Sequence, residues 1–424
     1  MMAMMIILID LSALFGAAWW VYTKQQPSIK SYYWPALSFK LLAGAAVGWL
    51  YFDYYGQGDT IYYWQDGTIL AERVFSDPAG ALNLYWEDTA VQGIAGVLND
   101  RPRSLFFVKI VSILSLVTGG NYWMMSGIMS FLSFLGAWYL FQKTSQYLLS
   151  STGAAAIAFL FYPSAVFWSS GIIKESLGLA ALFFVTGIFL TIIVNKRISW
   201  VEWIVALLSL WIGWNLKYYW MGVLLPVAVT TTIVYYLKRK YPKIMRFEFF
   251  AWVGLFVIFL LGATSIHPNF YPHRFLEVIV QNNQEFMNVS SPGNVVHYHE
   301  LEATVPSVLL NLPVAFVAGF FRPSIGEAHN SLSLLAGFEN TMLLVLLLSA
   351  LPWVVGFLKA PHRLLGFATI IYCILLATFL ALSTPNLGTL SRYKVGFLPF
   401  LVLLVIYQNP TIARLRKTNR PLGQ

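Results

Sequence analysis

The chain reads as an all-α polytopic membrane protein, and three observations predict this. Of its 424 residues, 58% are hydrophobic and 11% charged, whereas soluble domains carry roughly 25% charged residues. Apolar runs close to the roughly 20 residues that cross a bilayer recur along the whole sequence. Lys and Arg collect in short links between alternate runs, the pattern of loops retained on the cytoplasmic side. The +9 net charge therefore speaks to sidedness, and no nucleic-acid partner is expected.

Taken in order, the runs predict about eleven crossings: 2–22, 36–52, 121–142, 152–168, 172–194, 199–215, 218–237, 248–266, 333–358, 364–383 and 394–408. The first has no Lys or Arg ahead of it, so it reads as a retained helix and not as a cleaved signal. Two shorter runs, 104–118 and 305–321, read as interfacial or re-entrant helices that do not cross. If 104–118 crossed, the basic links after it would fall on the wrong side.

This parity puts the N-terminus outside and the C-terminus in the cytoplasm. Lys24, Lys30, Lys143, Lys196, Arg197, Lys238–Lys240, Lys243, Arg246, Lys359, Arg363 and the basic tail at 414–420 then lie inside. Five segments lie outside: a first loop at 53–120, tight loops at Phe161–Glu175 and Asn215–Tyr219, a large loop at 267–332, and a last loop at Ser383–Lys394. Nearly every Asp and Glu falls in them. Loops this long are usually functional. No repeat, low-complexity tract or soluble domain interrupts the chain, so 1–424 reads as a single integral membrane domain. The lone cysteine, Cys373, lies within an apolar run and allows no internal disulfide or zinc spacing.

The stretch Tyr54–Gly67 follows directly on a crossing and sets carboxylates among aromatics and glycines. Asp59 is the leading catalytic candidate, since a carboxylate in a partly dry cleft can take the proton of an attacking hydroxyl. Gly56 and Gly58 let the backbone turn before it. Tyr62, Tyr63 and Trp64 offer flat faces on which sugars stack. The structural alternative is a helix opening at Asp59 and running through 60–72, with the aromatics as interfacial anchors. Asp66 reads as a solvated neighbour.

Later loops supply cations. Lys174 and Glu175 stand at the mouth of an apolar helix, where they must pair or face a wet cavity. In the second case Glu175 grips a sugar hydroxyl and Lys174 a phosphate. Lys217 is a further phosphate ligand or a snorkelling anchor. Arg322 with Glu327, His329 and Asn330 forms the next polar group, and Glu339 is the candidate partner of Arg322. Arg392, beside Tyr393 and Lys394, can fork onto phosphate oxygens as Lys cannot, or anchor to headgroups. His297, His299 and Glu300 form a short run whose spacing is not specific for a metal.

In combination these residues resemble the GT-C-fold glycosyltransferases. The likeness is carried by Gly58-Asp59 with Tyr62 and Tyr63 after an early span, and by a helix from Arg101-Pro102-Arg103-Ser104 to Gly119-Gly120. The turn Tyr162-Pro163-Ser164 with Glu175 and the terminal Arg392-Tyr393 complete it. It extends to order and topology over most of the chain. It implies a GT-C-like fold and transfer of a sugar from a polyprenyl-phosphate carrier at the outer face. Glycan, lipid or protein is then the acceptor, membrane lipids are the surroundings, and Asp59 matches the first-loop acid. The chain departs from that family in lacking a paired acid at 58–61 and in carrying an extra helix before Asp59, so no metal cofactor is expected.

The chemistry is coherent without the likeness. Sugar–phosphate cleavage builds negative charge on phosphate, which preplaced cations stabilise. The expectation is Asp59 as base, with Arg322, Arg392, Lys217 and Lys174 on the phosphate, in one pocket at the outer leaflet of a bacterial inner membrane. Tyr62, Tyr63, Trp64, Glu175, Glu327, His329 and Tyr393 would contact substrate. An O-antigen-type polymerase or ligase would need the arginines and not Asp59. A lipid-linked glycan flippase would line a path through the midplane, where few polar residues fall, and would favour repeats that are absent.

Overall fold

The computed structural model describes residues 2–88, 91, 94, 96–99, 101–148, 152–243, 247–264, 271–350, 362–407 and 409. Lys359, Arg246, the tail cations and 267–270 lie outside them. Among the described residues most of the chain is helical, and the β structure is one isolated bridge, Val295 to Asn386.

Seven helices among the described residues are long and apolar enough to cross a membrane: Met4–Thr23, Pro27–Tyr55, Tyr122–Tyr147, Lys174–Ile193, Trp200–Lys240, Ser331–Ala350 and Arg363–Ser383. The pair Leu387–Gly396 and Leu398–Ile406, bent by 65°, passes the same test only when taken together, as a broken span or a re-entrant loop. The protein is an all-α membrane protein.

The sequence-derived count of eleven differs for local reasons. Segment 152–168 is a short apolar helix, Thr152–Phe161, that stops at Tyr162 before a separate helix at Pro163–Phe167. The expected loop Asn215–Tyr219 is one non-helical residue, Lys217 (φ −141°, ψ 57°), inside the run Trp200–Lys240. At 41 residues that run would extend about 60 Å if unbroken, twice the hydrocarbon thickness. The helix from Glu248 is 17 residues long. Helix begins earlier than 394, at Leu387, and bends by 65° before Leu398, so the expected loop Ser383–Lys394 is largely helix.

The chain forms two compact units. The first comprises Met1–Gln146, Phe159–Ile188 and Ile198–Tyr218. It holds α1 (Met2–Thr23), α2 (Tyr33–Trp49), α3 (Asp59–Ser76), α4 (Pro102–Thr118), α5 (Tyr122–Tyr147), most of α6 (Lys174–Ile193) and the first limb of α7 (Trp200–Lys240). Helix α4 starts on Pro102, whose missing N–H costs nothing at a first turn, and stops at Gly119 in the left-handed region (φ +61°). Gly67 lets α3 press against Val111 and Ser112 of α4. Tyr63, Leu70, Leu105, Phe107, Ile172 and Leu216 share one buried core.

The ends of this unit are chemically distinct. At one end Trp138 donates to Gln25 (2.9 Å), and Lys143 meets Glu202 (2.7 Å). That gathers the α1–α2 link, the close of α5 and the start of α7. At the other end Thr60 and Tyr122 share a hydrogen bond (2.8 Å), and Trp64 donates to the Gly120 carbonyl (2.8 Å). Within this unit Gln25 and Lys143 thus stand opposite Asp59.

The second unit comprises Tyr147–Ala158, Phe189–Arg197 and Tyr219–Gln424. It holds the second limb of α7, α8 (Glu248–Thr264), α9 (Pro272–Val289), α10 (Val305–Phe321), α11 (Ser331–Ala350), α12 (Arg363–Ser383), α13 (Leu387–Tyr393) and α14 (Leu398–Ile406). Glu248, fully buried, is shared by Lys238 and Arg363, joining the ends of α7, α8 and α12. Away from these, α12 is overlaid by α9, with Asn283 donating to the Leu382 carbonyl (2.7 Å), and crossed by α10 at Gly319, against the Ala377 backbone. Tyr298 donates to the Ala381 carbonyl (2.7 Å).

Candidate functional site

The chain reaches Asp59 through a π-helical turn, Leu50–Tyr55, and two glycines with positive φ, Gly56 (+68°) and Gly58 (+129°). Gly58 is also where the backbone passes over the Tyr51 ring. Asp59 is the first residue of α3, half-buried, where its charge complements the helix N-terminus. The helical alternative read from the sequence is therefore the local structure, and it extends four residues further, to Ser76. That placement puts Asp59 at the end of the unit where Thr60 meets Tyr122.

The aromatics after Asp59 divide by helical phase. Tyr62 donates to the Gln57 side chain (3.2 Å). Tyr63 is buried, edge-on to Phe107 (5.0 Å), with the Lys174 ammonium 5.3 Å from its ring centre. Its faces are therefore filled by protein, and it is no open platform for a sugar. Trp64 is held through its indole N–H and lies edge-on to Tyr122 (5.8 Å). Asp66, read as solvated, is corrected: it is fully buried and accepts from the Leu98 N–H (3.1 Å), the Asn99 N–H (3.0 Å) and the Asn99 side chain (2.6 Å). It ties the loop before α4 to α3.

Cations from three other elements gather around this end. Lys174, opening α6, donates to Ser104 in the first turn of α4 (3.2 Å). The Arg103 guanidinium lies over the Tyr218 ring at 5.0 Å. Glu175 and Lys217 form an ion pair (2.7 Å) with 1% and 2% residue exposure. Glu175 thus pairs with Lys217, and the snorkelling reading of Lys217 is corrected, since the side chain is buried. The break in α7 falls at this pair and not at Pro226.

Residues 168–173 lead into α6 beside a charge that sequence reasoning passes over. Lys40, in the middle of the second span, is 4% exposed and donates to Ser169 (2.5 Å). A lone charge within an apolar run is the signal that would have found it.

The other candidates belong to the second unit. Arg322 follows α10, and its guanidinium meets Glu327 (Nε to Oε1, 2.6 Å). Its ion-pair partner is thus Glu327, five residues on, where the sequence pointed to Glu339. Burial pushes the Glu327 carboxyl up, but the Arg322 guanidinium and the Ser324 N–H and hydroxyl outweigh it and hold it below the usual range. Burial raises the Tyr298 phenol above its ordinary value, against the pull of the Arg322 charge. Lys394, 2% exposed, donates to the Arg322 carbonyl (2.5 Å). His329 is exposed, its Nε2 3.3 Å from the Gly293 carbonyl. Arg392 is half-buried with its guanidinium 5.5 Å from the Tyr393 ring, and Tyr393 packs on Tyr219 (6.1 Å).

Among the described residues no three His, Cys, Asp or Glu side chains are grouped as metal ligands. His297 meets the Pro292 carbonyl (3.3 Å), and the His299 N–H donates to Asn311 (2.9 Å). The chain matches no known sequence family, no curated protein and no solved structure.

Proposed function

We propose that the protein is a GT-C-like glycosyltransferase that moves a sugar from a polyprenyl-phosphate carrier to an acceptor at the extracytoplasmic face of a bacterial membrane. The observation that carries this reading is the meeting, at one end of the first unit, of residues far apart in sequence. Tyr63, one turn beyond Asp59, touches Lys174; Lys174 touches Ser104; and Glu175 beside it holds Lys217. A carboxylate, an ammonium and an arginine at the end of apolar spans are what a lipid-borne phosphate ester requires. Asp59 takes the acceptor proton, and Lys174 with Arg103 meets the charge that develops on the leaving phosphate. Lys217 is reassigned: its charge is matched by Glu175, so the pair shapes the site.

The test uses the purified protein in nanodiscs with a panel of undecaprenyl-phosphate sugars. Asp59→Asn is expected to lower transfer at least about a hundredfold, the scale of a lost general base. Full transfer by that variant ends the assignment. The Arg322–Glu327 and Lys394 cluster supports a second reading, a polymerase or ligase that grips lipid pyrophosphate in the second unit. There Arg392→Ala and Arg322→Ala abolish turnover and Asp59→Asn is silent.

A further inference from the structure

Between Tyr162 and Lys174, a stretch the sequence reads as an outside loop, the backbone leaves regular helix while packed between α2 and α5 of the first unit. The short helix Pro163–Phe167 ends at Trp168, and Gly171 takes a positive φ (+77°) before α6 starts. A helix end buried in protein, as Ser169 and Ser170 are here, leaves carbonyls and N–H groups with no water to satisfy them. Four side chains meet that need. Ser169 donates to the Ala165 carbonyl, Ser170 to the Val166 carbonyl (2.6 Å), and Ser130 of α5 accepts from the Gly171 N–H (2.9 Å). The fourth is Lys40 of α2, which donates to the Ser169 hydroxyl (2.5 Å) and approaches the Val166 carbonyl (3.5 Å).

Lys40 lies seven residues beyond Tyr33, about 10 Å along α2 and close to the middle of that helix. The bonds it makes are to a hydroxyl and a carbonyl. Such an ammonium is costly in a membrane, where an apolar residue would serve packing alone. What it supplies is a link from α2 to the break three residues before Ile172-Ile173-Lys174-Glu175. The hydrogen bonds run on through Ile173 N–H to the Gly171 carbonyl (3.0 Å) and into α6.

We propose that Lys40 is a positioning residue: through Ser169 it fixes the 169–173 break and thereby sets Lys174 against Ser104 and Glu175 against Lys217. Its effect on turnover rests on the glycosyl-transfer reading; its effect on the break does not.

The experiment measures amide hydrogen exchange and transfer kinetics on the full chain in nanodiscs, for wild type, Lys40→Met, Ser169→Ala and the double variant. In Lys40→Met, exchange across 169–176 is expected to speed up about tenfold while α5 amides hold. KM for the undecaprenyl-phosphate sugar rises about tenfold with a smaller change in kcat, the scale on which misplacement of binding groups acts. Ser169→Ala moves the same amides in the same direction, and the double variant is no worse than Lys40→Met, because both remove one link. Unchanged exchange at 169–176, or additive effects, overturns the proposal. If Lys40→Met does not fold, unchanged exchange in Ser169→Ala overturns it by itself. Altered exchange in a protein whose wild type transfers no sugar leaves the positioning role standing and removes the glycosyltransferase.

Discussion

Lys217 Nζ lies 2.7 Å from Glu175 Oε1, and the two side chains are 3% and 1% exposed. The residues come from different helices of the first unit, one opening α6 and the other at the single non-helical residue of α7. Two desolvated charges at 2.7 Å balance one another only while both are present. The pair therefore couples the entry of α6 to the break in α7, next to Lys174 and Tyr218 with their contacts to Ser104 and Arg103.

Removing one partner leaves an uncompensated buried charge. Glu175→Leu and Lys217→Met are each expected to destabilise the protein by about 3–5 kcal/mol, whereas the two together recover most of the loss. Thermal melts in nanodiscs give the cycle. Simple addition of the two losses would show that the pair is not one unit.

Gly58 and Gly56 separate backbone strain from steric displacement. A Cβ on Gly58 lies 2.7 and 2.9 Å from Tyr51 ring carbons, and the backbone there has φ +129°. A Cβ on Gly56 meets nothing within 4 Å, at φ +68°. Gly56→Ala should cost about 1–2 kcal/mol, the left-handed penalty alone. Gly58→Ala should cost more and also lower transfer, because Asp59 is the next residue. Equal effects of the two substitutions on melting and transfer would contradict this.

Glu327 predicts a pH dependence with a definite sign. Its folded value lies below the ordinary carboxylate value, so the native state prefers the ionised form. That contribution is fully present above the unfolded value of about 4.3 and is lost as pH falls through the lowered folded value. The melting difference between wild type and Glu327→Gln should be constant from about pH 8 to pH 5 and shrink below about pH 4. A difference that grows on acidification would reverse the sign.

Asp66 predicts a local effect. Asp66→Ala removes the charged acceptor of the Leu98 and Asn99 N–H groups and is expected to cost about 1.5–3 kcal/mol. Amide exchange at 98 and 99 should rise, with α5 unchanged. Protection retained at those amides would mean that another acceptor holds the loop.

How much of this was readable depended on the range of the interaction. Pro102 and Gly119 bound α4 by rules that involve only their own backbones, so its ends followed from order alone. Asp66 repeats Asp59 after two turns and shares a buried stripe with Tyr63, Gly67 and Leu70, so its burial follows from helical phase once 60–72 is read as a helix. The partner of Glu175 was not. Adjacent residues on a helix point about 100° apart, so Glu175 reaches toward another helix than the one Lys174 faces. Nothing local distinguishes Lys217 from other cations. The Arg322 partner misled in the opposite way, since Glu339 seemed to need a mate while Glu327, five residues on, was already within reach.

Composition and the periodic placing of cations determined that this chain is a bundle of membrane helices, because transfer into hydrocarbon depends on what a segment contains and not on what it touches. Which carboxylate meets which ammonium, where α7 breaks, and that Lys40 reaches Ser169 were decided only by tertiary structure. Each depends on side chains from separate helices arriving within about 3 Å, a distance set by packing that no single segment contains.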